Sequence, residues 1–177
     1  MNIKRLALWF LIFCSLLVYV LLFERTDTPQ HVAILPEETY ERVFPFGIDA
    51  ISGVIISNGE KTVRLERHER KMRLVEPVGA RVSADLRSSL LDAIVGAVMI
   101  DELEAGEQQD LYGLDPPAFI VKVYTQANTE PQTLLLGANA PSTVNMYAYL
   151  PQQNRTVLLG TYLRFTLRTF LDNIKID

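Results

Sequence analysis

Hydrophobic and polar positions divide the chain into an apolar N-terminal run, a polar stretch and a long segment of mixed periodicity. Eighteen residues from Leu6 to Phe23 carry no charge. As a helix this run would be about 27 Å long at about 1.5 Å per residue, close to the ~30 Å hydrocarbon thickness of a bilayer. The pattern therefore predicts an N-terminal stub and transmembrane helix over residues 1–23, in contact with lipid through residues 6–23.

The alternative to a retained anchor is a signal peptide that is cleaved. Signal peptides have apolar regions of about 7–15 residues and small residues at the cleavage site. This run is longer and ends without such a pattern, which favours a retained anchor. Lys4 and Arg5 precede the run, and Glu24 is the first charge after it. Because basic residues stay on the cytoplasmic side, we expect a single-pass protein of a bacterial inner membrane with its C-terminal part in the periplasm.

Residues 24–47 contain few periodic apolar positions and three prolines: Pro29, Pro36 and Pro45. Proline fixes φ and removes a backbone donor, so this stretch is interpreted as a spacer that holds the next domain away from the membrane. An alternative of equal standing is that three apolar residues near its end pack on that domain: Val43, Phe44 and Phe46.

Residues 48–177 show the periodicity of strands with two helices. Alternating and β-branched segments predict strands at 51–57, 61–67, 72–75, 118–125, 132–136, 144–150 and 156–159, with Asn58-Gly59 as a tight hairpin turn. Helical spacing predicts helices over about 84–98, capped by Ser83, and over about 161–171. We therefore predict an α+β domain of mostly antiparallel strands with two packing helices. Strands followed by a helix, twice over, also indicate two related halves.

Composition limits the classes of partner and of chemistry. Without Lys4 and Arg5, 15 basic residues stand against 21 acidic ones, and nucleic acid is not an expected partner because its binding depends on phosphate neutralisation. The single cysteine, Cys14, lies in the apolar run, so the outer domain has no disulfide and no thiol nucleophile. The two histidines are far apart, and the glycines are scattered singly rather than in a phosphate-binding loop.

We accordingly predict no catalytic residue, no cofactor and no metal site, and a protein that is not an enzyme. The acidic segment 101–110 raises the possibility of calcium, but it lacks the alternating ligands and the glycine of a known calcium loop. We interpret it as a solvated connecting segment.

The most basic segment is 61–73, with six basic residues and two acidic ones. Its functional interpretation is an interaction patch for an acidic partner or for anionic lipid head groups. That patch would consist of Arg64, Arg67, Arg70, Lys71 and Arg73. The ordinary interpretation, which we favour, is the solvated face and turn of a hairpin.

A second local feature is a stiff corner made of Tyr112, Gly113, Leu114, Asp115, Pro116 and Pro117. Glycine permits a left-handed backbone here, and a residue before proline is held extended. The corner, followed by an alternating strand, resembles the signature corner of the bacterial DUF4340 family. Four further pieces resemble that family in the same order along the chain: Arg42-Val-Phe-Pro45, the hairpin from Ile51, Arg73-Leu-Val-Glu-Pro77 and Leu134-Leu-Leu-Gly137.

This resemblance implies a partner and not a reaction. Members of the family have no known activity and often accompany ABC-type export systems of the gliding-motility kind. The family commonly has tryptophan where this chain has Met72, so an aromatic binding role there is not expected. Our leading hypothesis is a membrane-anchored, non-enzymatic accessory or interaction module of a membrane transport assembly, with a transporter subunit as partner.

Two alternatives predict different geometry. A periplasmic ligand-binding or sensing domain for glycan or lipid would use Tyr147, Tyr149 and the loops near Gly137, and requires a concave pocket lined by those tyrosines. An enzyme based on carboxylates would use Asp110 and Asp115, and requires that the two converge in a cleft.

Overall fold

The structure is a computed structural model that describes residues 11, 13–19, 40–103 and 109–176 of the 177-residue chain. It separates into two compact units, Met1–Thr39 and Tyr40–Asp177. In the first unit the described residues are helical, and Leu11 and Phe13 are exposed. Among the described residues no helix has both the length and the apolar character needed to span a bilayer. Most of the predicted transmembrane run at 6–23, and the spacer up to residue 39, lie outside the described residues.

The second unit is α+β, as predicted, and consists mainly of one eight-stranded antiparallel sheet. Its strands are β1 (Ile51–Ser57), β2 (Thr62–His68), β3 (Lys71–Glu76), β5 (Met99–Leu103), β6 (Phe119–Thr125), β7 (Gln132–Asn139), β8 (Asn145–Leu150) and β9 (Arg155–Gly160). The short strands β4 (Ala80–Arg81) and β10 (Lys175–Ile176) pair with each other. The helices are α1 (Ala84–Val95) and α2 (Tyr162–Asp172), and a 3₁₀ turn (Ile48–Ala50) precedes β1.

The strand order is β3-β2-β1-β6-β7-β8-β9-β5, so two meanders join side by side at β1 and β6. Alternation along each strand assigns its side chains to two faces. One face carries the core: Val54 pairs in register with Leu65 and with Val123, and all three are fully buried. Apolar side chains of both helices belong to the same buried cluster. We call this the helix-covered face of the sheet, and the opposite one the open face.

Both helices begin and pack as their sequences indicate. The Ser83 hydroxyl accepts a hydrogen bond from Leu86 N at 3.2 Å and caps α1, as predicted. In α2, Leu163, Leu167 and Phe170 recur at helical spacing and are buried. Helix α1 ends at Val95, earlier than the predicted residue 98, because the chain turns there to enter β5.

The chain joins the second unit as an extended segment along the edge next to β5. Met99 N donates to the Glu41 carbonyl at 2.7 Å, and Val43 N donates to the Ala97 carbonyl at 3.0 Å. Val43 and Phe44 are 1% and 0% exposed. The structure therefore shows the alternative interpretation of this stretch, in which these residues pack on the domain. The compact unit begins at Tyr40 rather than at residue 48.

Two local expectations are wrong in detail. The β1–β2 turn is a four-residue loop in which Gly59 has a positive φ of 84°, and the Asn58 side chain accepts hydrogen bonds from the amides of Glu60 and Lys61. Residues 101–103, interpreted as part of a connecting segment, belong to strand β5. Residues 104–108 of that segment lie outside the described residues.

Candidate functional site

The corner at 112–117 packs on strand β7 through one buried residue, Leu114. Its backbone is tied to the sheet because Ala138 N donates to the Tyr112 carbonyl at 2.7 Å. Leu114 is 2% exposed, and its Cγ would lie 3.0 Å from a methyl group added at Gly137. Gly113 has the positive φ of 63° that the sequence predicts. The corner therefore has a structural role, and Gly137 is the residue that makes room for it.

The two tyrosines of the ligand-binding hypothesis have partners inside the domain. The Tyr147 ring packs against the Tyr112 ring with centroids 4.4 Å apart, so the corner covers it. The Tyr149 hydroxyl donates to Asn154 Oδ1 at 2.8 Å. Both rings are half-buried by these contacts and by the sheet. The lining of the cleft at Gly53, described below, includes neither of them.

The side chains considered for acid–base or metal chemistry are exposed wherever the structure describes them. Asp110 and Asp115 are both exposed, which differs from the converging pair that the enzyme hypothesis requires. His68 is exposed at the end of β2, and His31 lies outside the described residues. Among the residues that the structure describes, no group of three or more histidine, cysteine or acidic side chains is placed to hold a metal ion.

The basic segment at 61–73 divides between the two faces of the sheet. Arg67 lies on the helix-covered face, where its Nε and Nη2 donate to the carbonyls of Ile51 and Ile48, each at 2.6 Å. It is a structural residue and does not belong to the predicted patch. Arg64 lies on the open face and pairs with Glu66 at 2.6 Å. Arg70 is exposed in the turn between β2 and β3.

Register places a row of cations on the open face. Ile55 pairs with Arg64 on one side and with Lys122 on the other, while Arg73 pairs with Glu66 and Lys71 with His68. We call the four exposed residues Arg64, Lys71, Arg73 and Lys122 the basic strip. Lys122 belongs to β6 and was missed in the sequence because strand pairing, and not proximity along the chain, brings it beside the hairpin.

A cleft of about 270 Å³ opens in the same face beside the basic strip. Its floor is the backbone around Gly53, where the missing side chain leaves a notch, and its walls are Tyr124 and the Arg64–Glu66 pair. The register of β1 against β6 shifts between Ile51 and Gly53, which forms a bulge at this point. The cleft combines an aromatic wall with a basic one.

A second cluster of charges connects the N-terminal edge segment to the sheet. Arg155 Nε and Nη2 donate to the Glu102 carboxylate at 2.9 and 2.8 Å, and Nη1 and Nη2 donate to the Glu41 carboxylate at 3.1 Å each. Hydrogen bonds from Arg155 lower the pKa of Glu41. Hydrogen bonds to Glu102 and Glu41 raise the pKa of Arg155 above its ordinary value. The cluster closes the β5 edge of the sheet.

Comparison of the chain with protein-family models, curated proteins and solved structures finds no match to any of them. The resemblance to the DUF4340 family therefore stays a prediction.

One further basic residue is held in an unusual environment. Arg164 on α2 donates through Nη1 to Asn139 Oδ1 at 2.7 Å. Its Nε and Nη2 are buried and have no hydrogen-bond partner among the described residues. Burial lowers the pKa of this guanidinium from its ordinary value. The hydrogen bond of Arg164 thus connects α2 to the end of β7, and the burial of its two other guanidinium nitrogens costs free energy of desolvation.

The Arg155 cluster predicts a specific pH dependence. In the folded protein the pKa of Glu41 is below its ordinary value of 4.5. The stability that the ionised Glu41 contributes is therefore complete above pH 4.5, and it is lost as the pH falls through the folded-state pKa. Glu41→Gln should therefore lower the free energy of unfolding at neutral pH, and the difference from the original chain should disappear in acid. Urea unfolding across this pH range measures it. Glu130→Gln, at an exposed loop position, is the control, and a constant difference for Glu41→Gln would contradict the expectation.

Proposed function

We propose that the chain is a single-pass, membrane-anchored interaction module with an extracytoplasmic domain, serving as a non-enzymatic accessory of a membrane transport assembly. The uncharged run at 6–23 supports the anchor, and the resemblance to the DUF4340 family supports a transport partner. The observation that carries the proposal is the open face of the sheet. The part of it formed by β2, β1 and β6 presents exposed cations beside a cleft, whereas the opposite face is covered by two helices.

The topology also supports the expectation of two related halves. Each half is a meander that begins at the centre of the sheet, β1 to β3 or β6 to β9, and is followed by a helix. The two meanders run outward in opposite directions from the β1–β6 pair. Such an arrangement leaves the open face of β2, β1 and β6, on the other side of the β1–β6 pair from the corner, as a surface on which a partner can dock.

A ligand-binding function is the second candidate, because the cleft at Gly53 is concave and has an aromatic wall. Its lining residues include Tyr124, Ile55 and Arg64, but neither Tyr147 nor Tyr149. A small anionic or polar ligand would suit this lining.

Site-specific photocrosslinking of the full chain in membranes tests the proposed function. A photoreactive residue at Lys71 or Arg73 should recover a membrane transport protein, identified by mass spectrometry. The matched control is Arg168, which is exposed on α2 and so lies on the side of the sheet that the helices cover. Recovery of no membrane protein from the open-face positions, or equal recovery from Arg168, would contradict the proposal.

A further inference from the structure

The basic strip concentrates positive charge on a domain that is acidic in total. The strip and the neighbouring Arg70 lie on β2, β3, β6 and the β2–β3 turn, where these five cations stand against three acidic residues, Glu66, Glu69 and Glu76. Acidic residues gather at the other edge of the sheet, where Glu41, Asp101 and Glu102 lie. Charge is therefore separated across the width of the sheet, and one end of the open face is positive.

Three of the four cations of the strip are not used by the fold, and the fourth, Arg64, pairs with Glu66. Arg67, Arg87 and Arg155 donate to backbone carbonyls or carboxylates and stabilise the domain. By contrast, Lys71, Arg73 and Lys122 are exposed and make no ion pair with any residue that the structure describes. Long side chains of this kind can extend toward a surface without loss of internal contacts.

The acidic residues just before the domain, Glu37 and Glu38, are considered first as partners of the strip, and the length of the chain decides against pairing with its β3 end. The chain joins the sheet beyond β5, at the edge opposite β3, and seven strand spacings separate the two edges by about 34 Å. Glu37 and Glu38 are four and three residues from Glu41, so they reach at most about 14 Å from it. These carboxylates therefore cannot reach the β3 end of the strip, where Lys71 and Arg73 lie.

We propose that the basic strip docks the domain on an anionic lipid surface. The inference rests on the anchor of the proposed function but not on its transport partner. The sixteen residues between Phe23 and Tyr40 can extend about 55 Å, enough to let the open face reach the head groups. Lys and Arg side chains near such a surface are attracted by the anionic lipid head groups. Tyr124 and Ile55, which lie beside these cations, are suited to the membrane–water interface. Each cation changes the ratio of docked to undocked domain about fivefold.

Energy transfer in nanodiscs that hold the full chain tests the proposal. A donor dye is attached at Val78→Cys in a Cys14→Ser background, because Val78 is 88% exposed in the turn after β3. Acceptor dyes are placed on lipid head groups. Transfer should rise when phosphatidylcholine is replaced by about 30% phosphatidylglycerol, and should fall again in about 0.5 M salt, where screening is short-ranged. Lys71→Gln/Arg73→Gln should reduce the docked-to-undocked ratio about 25-fold.

The matched control is Arg168→Gln/Lys175→Gln, which removes the same charge from exposed positions outside the strip and should leave the transfer unchanged. Circular dichroism checks that both variants fold. Equal transfer in neutral and anionic nanodiscs, or equal loss in both variants, would overturn the proposal. Energy transfer that does not depend on lipid charge, together with crosslinking of the strip to a membrane protein, would mean that the strip binds an acidic protein. In that case only the lipid proposal fails. Lipid-dependent transfer without a crosslinked partner would instead leave docking intact and contradict the transport function.

Discussion

Replacing Gly137 by alanine is expected to lower the free energy of unfolding by about 3 kcal/mol or more. A methyl group at this position would overlap the carbonyl oxygen of Tyr112 and approach Leu114 Cγ to 3.0 Å. The corner would have to move away from β7, which breaks the hydrogen bond from Ala138 N to that carbonyl and uncovers a buried leucine. Urea unfolding of the full chain, followed by circular dichroism, measures the loss.

Gly160→Ala is the matched control, because this glycine also lies in a strand and a methyl group there meets no atom within 4 Å. It should be neutral within about 0.5 kcal/mol. Similar losses for the two variants would mean that strand glycines are sensitive in general, and would contradict the specific role of the corner. Loss of the Tyr112–Tyr147 ring contact, seen in the near-ultraviolet circular dichroism, should accompany Gly137→Ala alone.

Phe44→Ala should cost about 3–5 kcal/mol, the second large effect. Its side chain is fully buried although it lies in a stretch whose prolines and acidic residues are typical of a spacer. The centroid of the Phe46 ring lies 5.8 Å from that of Phe44, and Phe46 is only partly buried. The substitution would therefore leave a cavity in the core. Thermal or urea unfolding reports the change.

Phe165→Ala removes the same ring from α2, where it is 67% exposed. It should be neutral within about 0.5 kcal/mol, because little apolar area leaves the core and alanine is a good helix former. If Phe44→Ala were equally mild, residues 43–46 would be a loosely attached spacer, as the proline content alone indicates.

Local periodicity was sufficient to predict most of the elements. The predicted strand at 51–57 matches β1, and the helix cap at Ser83 is present. Strand β5 was missed because its five residues include the adjacent acidic pair Asp101-Glu102, which gives no apolar alternation. Edge strands with one exposed side lack the strong pattern that identifies central strands.

Alternation could also have sorted the basic residues of the hairpin. Thr62, Arg64 and Glu66 share one parity in β2, whereas Arg67 shares the parity of Val63 and Leu65 and so turns toward the core. Strand β7 continues through Gly137 to Asn139, beyond the predicted end at residue 136. A glycine inside a strand indicates a close backbone approach, although it does not tell which segment approaches. Contacts across long sequence separations, such as Arg155 with Glu41, had no local signal.

The edge position of residues 41–43 has a mechanical consequence. Residues 41–43 are held to the sheet by the backbone hydrogen bonds of Met99 N and Val43 N and by the Arg155–Glu41 contacts. Antiparallel neighbours pulled from one end separate one bond at a time, so this segment would peel before any strand of the sheet is strained. Peeling should stop at the buried Phe44, so a pulling force on the N-terminal side would release residues 41–43 before it unfolds the sheet.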